Sequence, residues 1–241
     1  MQVSAKQMAS SKRERNFWKW LRLPIKTYEV DIPVSVDARR SATSSDAFER
    51  IAMCLPSDFL KAVSGAGKEV FKECLGSWTD FAAMWSSSGR SPEPDRVPIV
   101  VHEDGVPHFQ GQMWFSRRTP LNILHIYELF VENPFRQTGG TATVWSWSTG
   151  CLRNDSWRSR HCIAVMATCS IKQETREEIC RVLAWDLAQL ASGSYPFTDH
   201  NGKFWPSGSV REGNAGKPIP IQAAPWRHLG TCFLDLIHRV C

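Results

Sequence analysis

The stretch Ile126–Ala142, IYELFVENPFRQTGGTA, decides how the chain is read. An apolar strand closes at Val131, a turn carrying Pro134 and Arg136 follows, and Gly139-Gly140 then open a helix predicted over Thr141–Leu152. A strand–turn–helix junction leaves backbone N–H groups unpaired at the helix start, where the helix dipole favours an anion. Glycines there let a phosphate approach the backbone without a Cβ in the way. Residues 138–142 therefore read as a phosphate cradle with Arg136 beside it. The plainer alternative is that the two glycines only shape the connection.

Outward from this junction the pattern is mixed. Upstream, Tyr28–Val36 alternates like a strand, and Pro33 confines it to a sheet edge or a strand end. Ser45 or Asp46 can cap a helix carrying Phe48, Ile51, Ala52, Leu55, Phe59, Leu60 and Val63, which Gly65 and Gly67 interrupt. A second helix is predicted from Lys68 to Trp85. After the break at 86–98, Val97–His102 reads as a strand, with Glu103-Asp104-Gly105 as a hairpin turn. Gln110–Ser116 and Asn122–Val131 are the next two strands. Downstream, His161–Cys169 (HCIAVMATC) is a buried strand. Thr175–Ala191 is a helix with Ile179, Val182, Leu183, Leu187 and Leu190 on one face and Gly193 at its end. The chain is Gly/Pro-rich and loop-like over 192–225, before an apolar stretch at Leu229–Val240.

The glycine pattern and this element order together resemble the Gcn5-related N-acetyltransferases, whose acyl-CoA motif reads Q/R-x-x-G-x-G/A after the fourth strand. Two registers fit. From Arg136, Gly139 matches and Thr141 stands where Gly or Ala is expected. From Gln137, Gly140 and Ala142 both match. The similarity covers residues 28–191 and leaves the Gly/Pro-rich 192–241 outside it. It implies an α/β (α+β) fold with a mixed, mostly antiparallel central sheet flanked by helices, in one domain spanning 28–241.

The same resemblance implies an acyl-CoA-dependent N-acyltransferase, in which an amine of a small molecule or protein attacks the thioester directly. Acetyl-CoA or another acyl-CoA would be the co-substrate, and no metal is expected. The pyrophosphate would lie on the N–H groups of Thr138, Gly139, Gly140, Thr141 and Ala142, beside Arg136 and Gln137. The pantetheine would run along the strand edge at Leu129 and Val131. The amine must first lose a proton. Glu128, between apolar neighbours on its strand, is the candidate base, or else an ordinary cross-strand charge. Tyr195 is the tyrosine placed to protonate the leaving thiolate, though the family's surrounding pattern is absent. His125 and His161 are substitutes for it. Glu103, Asp104, Glu128 and Glu132 would suit a cationic acceptor.

Composition sets the remaining bounds. The chain has 241 residues, 42% hydrophobic and 22% charged, which fits a globular domain and argues against wholesale disorder. Its net charge of +5 is unevenly spread. Residues 1–26 hold seven Lys or Arg against Glu14, so 1–27 reads as a basic arm and the rest as close to neutral. The pI therefore carries no nucleic-acid signal. No apolar run reaches the length of a membrane span and the N-terminus lacks a secretory pattern, so a cytoplasmic location is expected. The eight cysteines form no C-x-x-C and read as reduced, mostly buried thiols. Ser64–Lys68 fails as a P-loop, since Ala62 and Glu69 replace required residues. The competing function is a non-enzymatic interaction or effector protein. It would use a surface rich in the eleven tryptophans, and the basic arm, to hold a partner or an anionic membrane.

Overall fold

Alternation along Tyr28–Val34 is realised as strand β1, which buries Tyr28, Val30, Ile32 and Val34 and leaves Glu29 and Asp31 in solvent. The computed structural model describes residues 25–35, 47–87, 95–107, 141–151 and 160–228. β1 pairs antiparallel with β2 (Ala47–Met53), from Tyr28 opposite Met53 to Val34 opposite Ala47. A helix was expected to run from Asp46 through these residues. Strand pairing wins because β1 would otherwise carry a row of unpaired backbone groups, and Ile51 and Met53, two apart, fill the core side of a strand. Phe48, on the other side, is left 66% exposed.

The helix begins instead at Pro56, a residue suited to a first turn because its missing N–H is not needed there. α1 (Pro56–Ala66) buries Phe59, Leu60 and Val63 as the spacing predicted. α2 (Lys68–Leu75) and α3 (Trp78–Ser87) divide what reads in the sequence as one helix. The division falls at Gly76, whose φ of 107° is costly for any residue with a side chain. A Cβ there would also lie 3.2 Å from the Cβ of Cys151, so the backbone approaches that residue closely.

The second sheet has strand order β5–β4–β3–β6. β3 (Arg96–Pro107) is antiparallel to β4 (Thr141–Ser148), which is antiparallel to β5 (His161–Ala167). β6 (Gln222–His228) joins parallel on the far side of β3. Two sheets, mostly antiparallel and accompanied by helices, make this an α+β chain.

Three expectations are corrected in this sheet. Asp104 and Gly105 form no turn: they continue β3 and pair with Val144 and Thr143. A hairpin turn at Asp104-Gly105 would need the partner strand to start within a few residues, whereas β3 runs on to Pro107 and its partner β4 starts at Thr141. Residues 222–225 are not loop but the start of β6, whose Pro225 is tolerated because the strand lies at an edge.

The third correction bears on function. Thr141–Leu152 is not a helix, because Thr141–Ser148 forms β4. TATVWSWS is rich in β-branched and aromatic residues, and its period of two places Thr143, Trp145 and Trp147 on one face. Trp145 and Trp147 are 1% and 0% exposed in the main core. Val144, on the opposite face, packs with Cys162 and Val165 in a small second cluster.

α4 (Gln173–Ser192) matches the predicted helix, with Ile179, Val182, Leu183, Leu187 and Leu190 buried and Gly193 closing it in the left-handed conformation. It packs on β1, β6 and α1 and so links the two sheets. Residues 194–221 follow with one short helix, α5 (Val210–Asn214), and bury Ile219 and Ile221 in the main core. Among the described residues no helix is long and apolar enough to cross a membrane. Cys54, Cys74, Cys162 and Cys180 are buried, Cys151 is half-buried and Cys169 is exposed, and none of these six is in a disulfide among the described residues.

Candidate functional site

A cavity of about 530 Å³ opens where the outer face of α1 meets the end of α4 and the 194–214 segment. α1 contributes Asp58, Lys61, Ala62 and Gly65, a spacing of three, four and seven that keeps them on one helix face. Gln189 comes from the last turn of α4, Lys26 from the approach to β1, and Tyr195, Trp205 and Arg211 from the C-terminal segment.

That segment is held in place by its own polar chemistry. Ser209 caps α5 by accepting from the Glu212 N–H at 3.1 Å, and the Glu212 carboxylate reaches back to the Gly208 N–H at 2.5 Å. The cap presents Arg211, which donates to Asp58 at 2.6 Å. The Arg211 guanidinium also lies 5.0 Å from the centroid of the Tyr28 ring and 5.4 Å from that of Trp205. Trp205 donates its indole N–H to the Pro196 carbonyl at 2.9 Å, which leaves only its ring for other contacts. Burial raises the Asp58 carboxyl above the usual carboxylate range, and Arg211 pulls against that rise.

Beneath the cavity, α1 lacks an ordinary cap, since Leu55 at the N-cap position has no side-chain acceptor. Asp186 of α4 supplies one in trans. Its carboxylate accepts from the Ser57 N–H at 3.1 Å, from the Ser57 hydroxyl at 2.5 Å and from the Gln189 amide at 2.9 Å. Asp186 is wholly buried, and burial pushes its carboxyl up to about 7 although the Ser57 hydrogen bonds oppose this.

Two wall residues keep polar atoms unpartnered. The Gln189 Oε1 and the Tyr195 hydroxyl are both buried with no hydrogen-bond partner. Buried polar groups are nearly always paired, so these two atoms in the cavity wall are where a water or a ligand would bond. Burial raises the Tyr195 phenol, with Asp58 and Asp186 adding to the rise, so it stays protonated at neutral pH. The Lys61 ammonium sits 5.1 Å from the centre of the Tyr195 ring. Neither Lys61 nor Lys26 forms an ion pair among the described residues. With Arg211 balanced by Asp58, the wall carries two uncompensated cations.

Of the residues the sequence nominated, Tyr195 lies in this wall. Thr141 and Ala142 start β4, opposite Pro107 and Val106, so no helix dipole stands behind a cradle at that point. Glu128, Leu129, Val131, Glu132, Arg136, Gln137, Thr138, Gly139, Gly140 and His125 lie outside the described residues, as do the predicted strands at 110–116 and 122–131. Glu103 is paired with Arg176 at 3.0 Å. His161 is sealed in the core, with its ring 4.1 Å from that of Phe59 and 4.6 Å from that of Trp147. Burial depresses it to about 3, so it is neutral and out of reach as a substitute acid. Trp85, Trp145 and Trp147 are core residues, while Trp78 is 43% exposed.

The sequence reading missed Asp58, Lys61, Gln189 and Arg211. Ser209-Val-Arg-Glu212 is a legible capping box that would have fixed Arg211 at a helix start. The polar face of α1 is indistinguishable in sequence from a solvated one. No group of three His, Cys, Asp or Glu side chains converges to hold a metal among the described residues. Comparison of the chain with protein-family models, with curated proteins and with solved structures found no match.

Proposed function

We propose that the chain binds an anionic small molecule in the cavity between α1, the end of α4 and the 194–214 segment. The observation that carries this is the joint presence, in one wall, of two unpaired lysines and two unpartnered buried polar atoms. Lys26 and Lys61 supply charge for a carboxylate or phosphate, and Tyr195 supplies a hydroxyl. Thermal shift over a panel of small carboxylates and phosphate esters tests it. Members should raise the melting temperature of wild type, and Lys61→Glu should weaken binding at least about tenfold, or about 1.4 kcal/mol. A panel in which no anion shifts wild type overturns the proposal.

Acyl-CoA-dependent N-acyl transfer is a second reading within this one, and Tyr195 is what favours it. A protonated phenol in the wall of an anion-binding cavity suits transfer of a proton to a leaving CoA thiolate, while an acceptor amine attacks the acyl carbon and loses its own proton to a base. The β4 strand removes the helix from the glycine cradle, so phosphate contacts on this reading fall to Lys26 and Lys61. Calorimetry with acetyl-CoA and CoA separates it from the broader proposal. No binding of either ends the acyltransferase reading while leaving anion binding intact. Acyl transfer in wild type that Tyr195→Phe slows without loss of acetyl-CoA binding supports it.

A further inference from the structure

Gln189 stands three residues beyond Asp186 on α4, and its amide is not free to turn. Its NH₂ donates to Asp186 Oδ1 at 2.9 Å, and Asp186 is anchored from the other side by both the N–H and the hydroxyl of Ser57. Turning the amide over would set its oxygen against a carboxylate oxygen, so the ionised Asp186 fixes which end faces away. The free end is Oε1, an acceptor on a side chain that is 5% exposed and lines the cavity. An acceptor so placed gains from a ligand N–H or O–H and is penalised by a ligand that offers an apolar group or another acceptor.

The other wall groups restrict the partner further. Trp205 spends its N–H on Pro196 and offers a ring alone, Arg211 is committed to Asp58, and Lys26 and Lys61 remain for an anion. We infer that Gln189, positioned by Asp186, is the specificity-determining residue of the cavity, and that the ligand joins a carboxylate or phosphate to a flat group bearing an N–H donor. This rests on the anion-binding function proposed above. On it, Gln189 reads the donor, the lysines read the charge, and Asp186 is a positioning residue that never meets the ligand.

Three small probes separate the two levels. Indole-3-acetate carries both features, 1-methylindole-3-acetate lacks the donor, and 3-methylindole lacks the charge. Binding is measured by calorimetry at pH 8, where Asp186 is ionised. Indole-3-acetate should bind at least about tenfold more tightly than either analogue. Gln189→Met, close in size and apolar, should erase the preference over the N-methyl compound, and Lys61→Glu should weaken both acids alike. Circular dichroism melting confirms that each variant is folded. Should Gln189→Met not fold, Asp186→Asn, which frees the amide to turn, should narrow the same preference.

Equal affinity of wild type for the two acids, with both still dependent on Lys61, overturns the role of Gln189 and leaves anion binding standing. Failure of both indole acids to bind wild type, while other members of the anion panel bind, overturns the inferred ligand class and leaves anion binding standing.

Discussion

Two histidines of this chain sit among aromatic rings, and the difference between them separates what holds the fold from what shapes the cavity. His161 lies between Phe59 and Trp147 with one nitrogen 3.2 Å from the Cys74 carbonyl and the other, Nδ1, without a partner. His200 is bonded at both nitrogens: Nδ1 meets the Tyr28 hydroxyl at 2.5 Å, and Nε2 meets Glu178 at 3.1 Å. Tyr28 in turn stacks on Trp185, at a centroid distance of 5.5 Å, and meets Trp205 edge-on at 6.5 Å. The first cluster is closed by area and shape. The second is closed by directed bonds between a surface segment and the elements beneath it. Burial with a single directed bond, to the Cys74 carbonyl, suits a core that must only stay full. Directed bonds suit a wall that can open and return to one position.

The largest effect that tests this contrast is expected in the core. Trp147→Ala removes a fully buried indole whose ring packs 5.5 Å from Phe59, and should cost about 3–5 kcal/mol in urea unfolding. Under conditions where the variant remains folded, anion binding at the cavity should be unchanged. A loss under about 1 kcal/mol, or a binding defect larger than the stability loss, would contradict the division.

The next effect is a slope and not an offset, because two buried groups of the two regions oppose each other. His161 falls from an ordinary 6.5 to about 3, so between those values the unfolded chain binds a proton that the folded chain does not. Its contribution is complete above about 6.5 and is lost as pH falls, a slope near +1.4 kcal/mol per pH unit. Asp186 rises from 3.8 to about 7, so in that interval the folded chain holds the extra proton. Its contribution is complete below about 4 and is lost as pH rises, a slope of equal size and opposite sign. Between about pH 4 and 6.5 the two cancel. Asp186→Asn should leave the His161 slope alone, so that unfolding free energy rises with pH across this window where wild type is level with respect to the pair. An equally level curve in the variant would show that the two groups are not titrating as opponents.

The core side of the contrast was the more legible in sequence. Alternation in Tyr28–Val34 and the stripe from Ile179 to Leu190 each carry a period that only one element satisfies, and the apolar run HCIAVMA has the length of a buried strand. β2 and β4 were misread because short segments fit two periods, and the partner that decides between them lies elsewhere in the chain. The two tryptophans of β4 show this. In WSWS they look scattered around a helix, but on a strand they are neighbours on one buried face. The cavity was less legible still, because Lys61 and Gln189 occupy ordinary helical positions. Their roles follow from Asp186 and from a loop whose path no period encodes. Tyr195 was singled out as an acid by resemblance, and the structure places it in the wall with Lys61 against its ring.

The smallest effect should come from the wired histidine. His200→Gln removes an imidazole that ties Tyr28 of β1 to Glu178 of α4, while Arg181 still grips Glu178 and Asn201. Loss of one or two partly buried hydrogen bonds amounts to about 1–2 kcal/mol. Because Arg211, Trp205 and the α5 cap hold the same segment independently, the cost should appear as local opening and not as global unfolding. Amide exchange should accelerate over residues 195–217 and stay unchanged in β4 and β5. Affinity for an anionic ligand should fall in proportion to the population that opens. Uniform acceleration across β4, β5 and the C-terminal segment would mean that His200 belongs to the same cooperative unit as His161, and the two clusters would then be one.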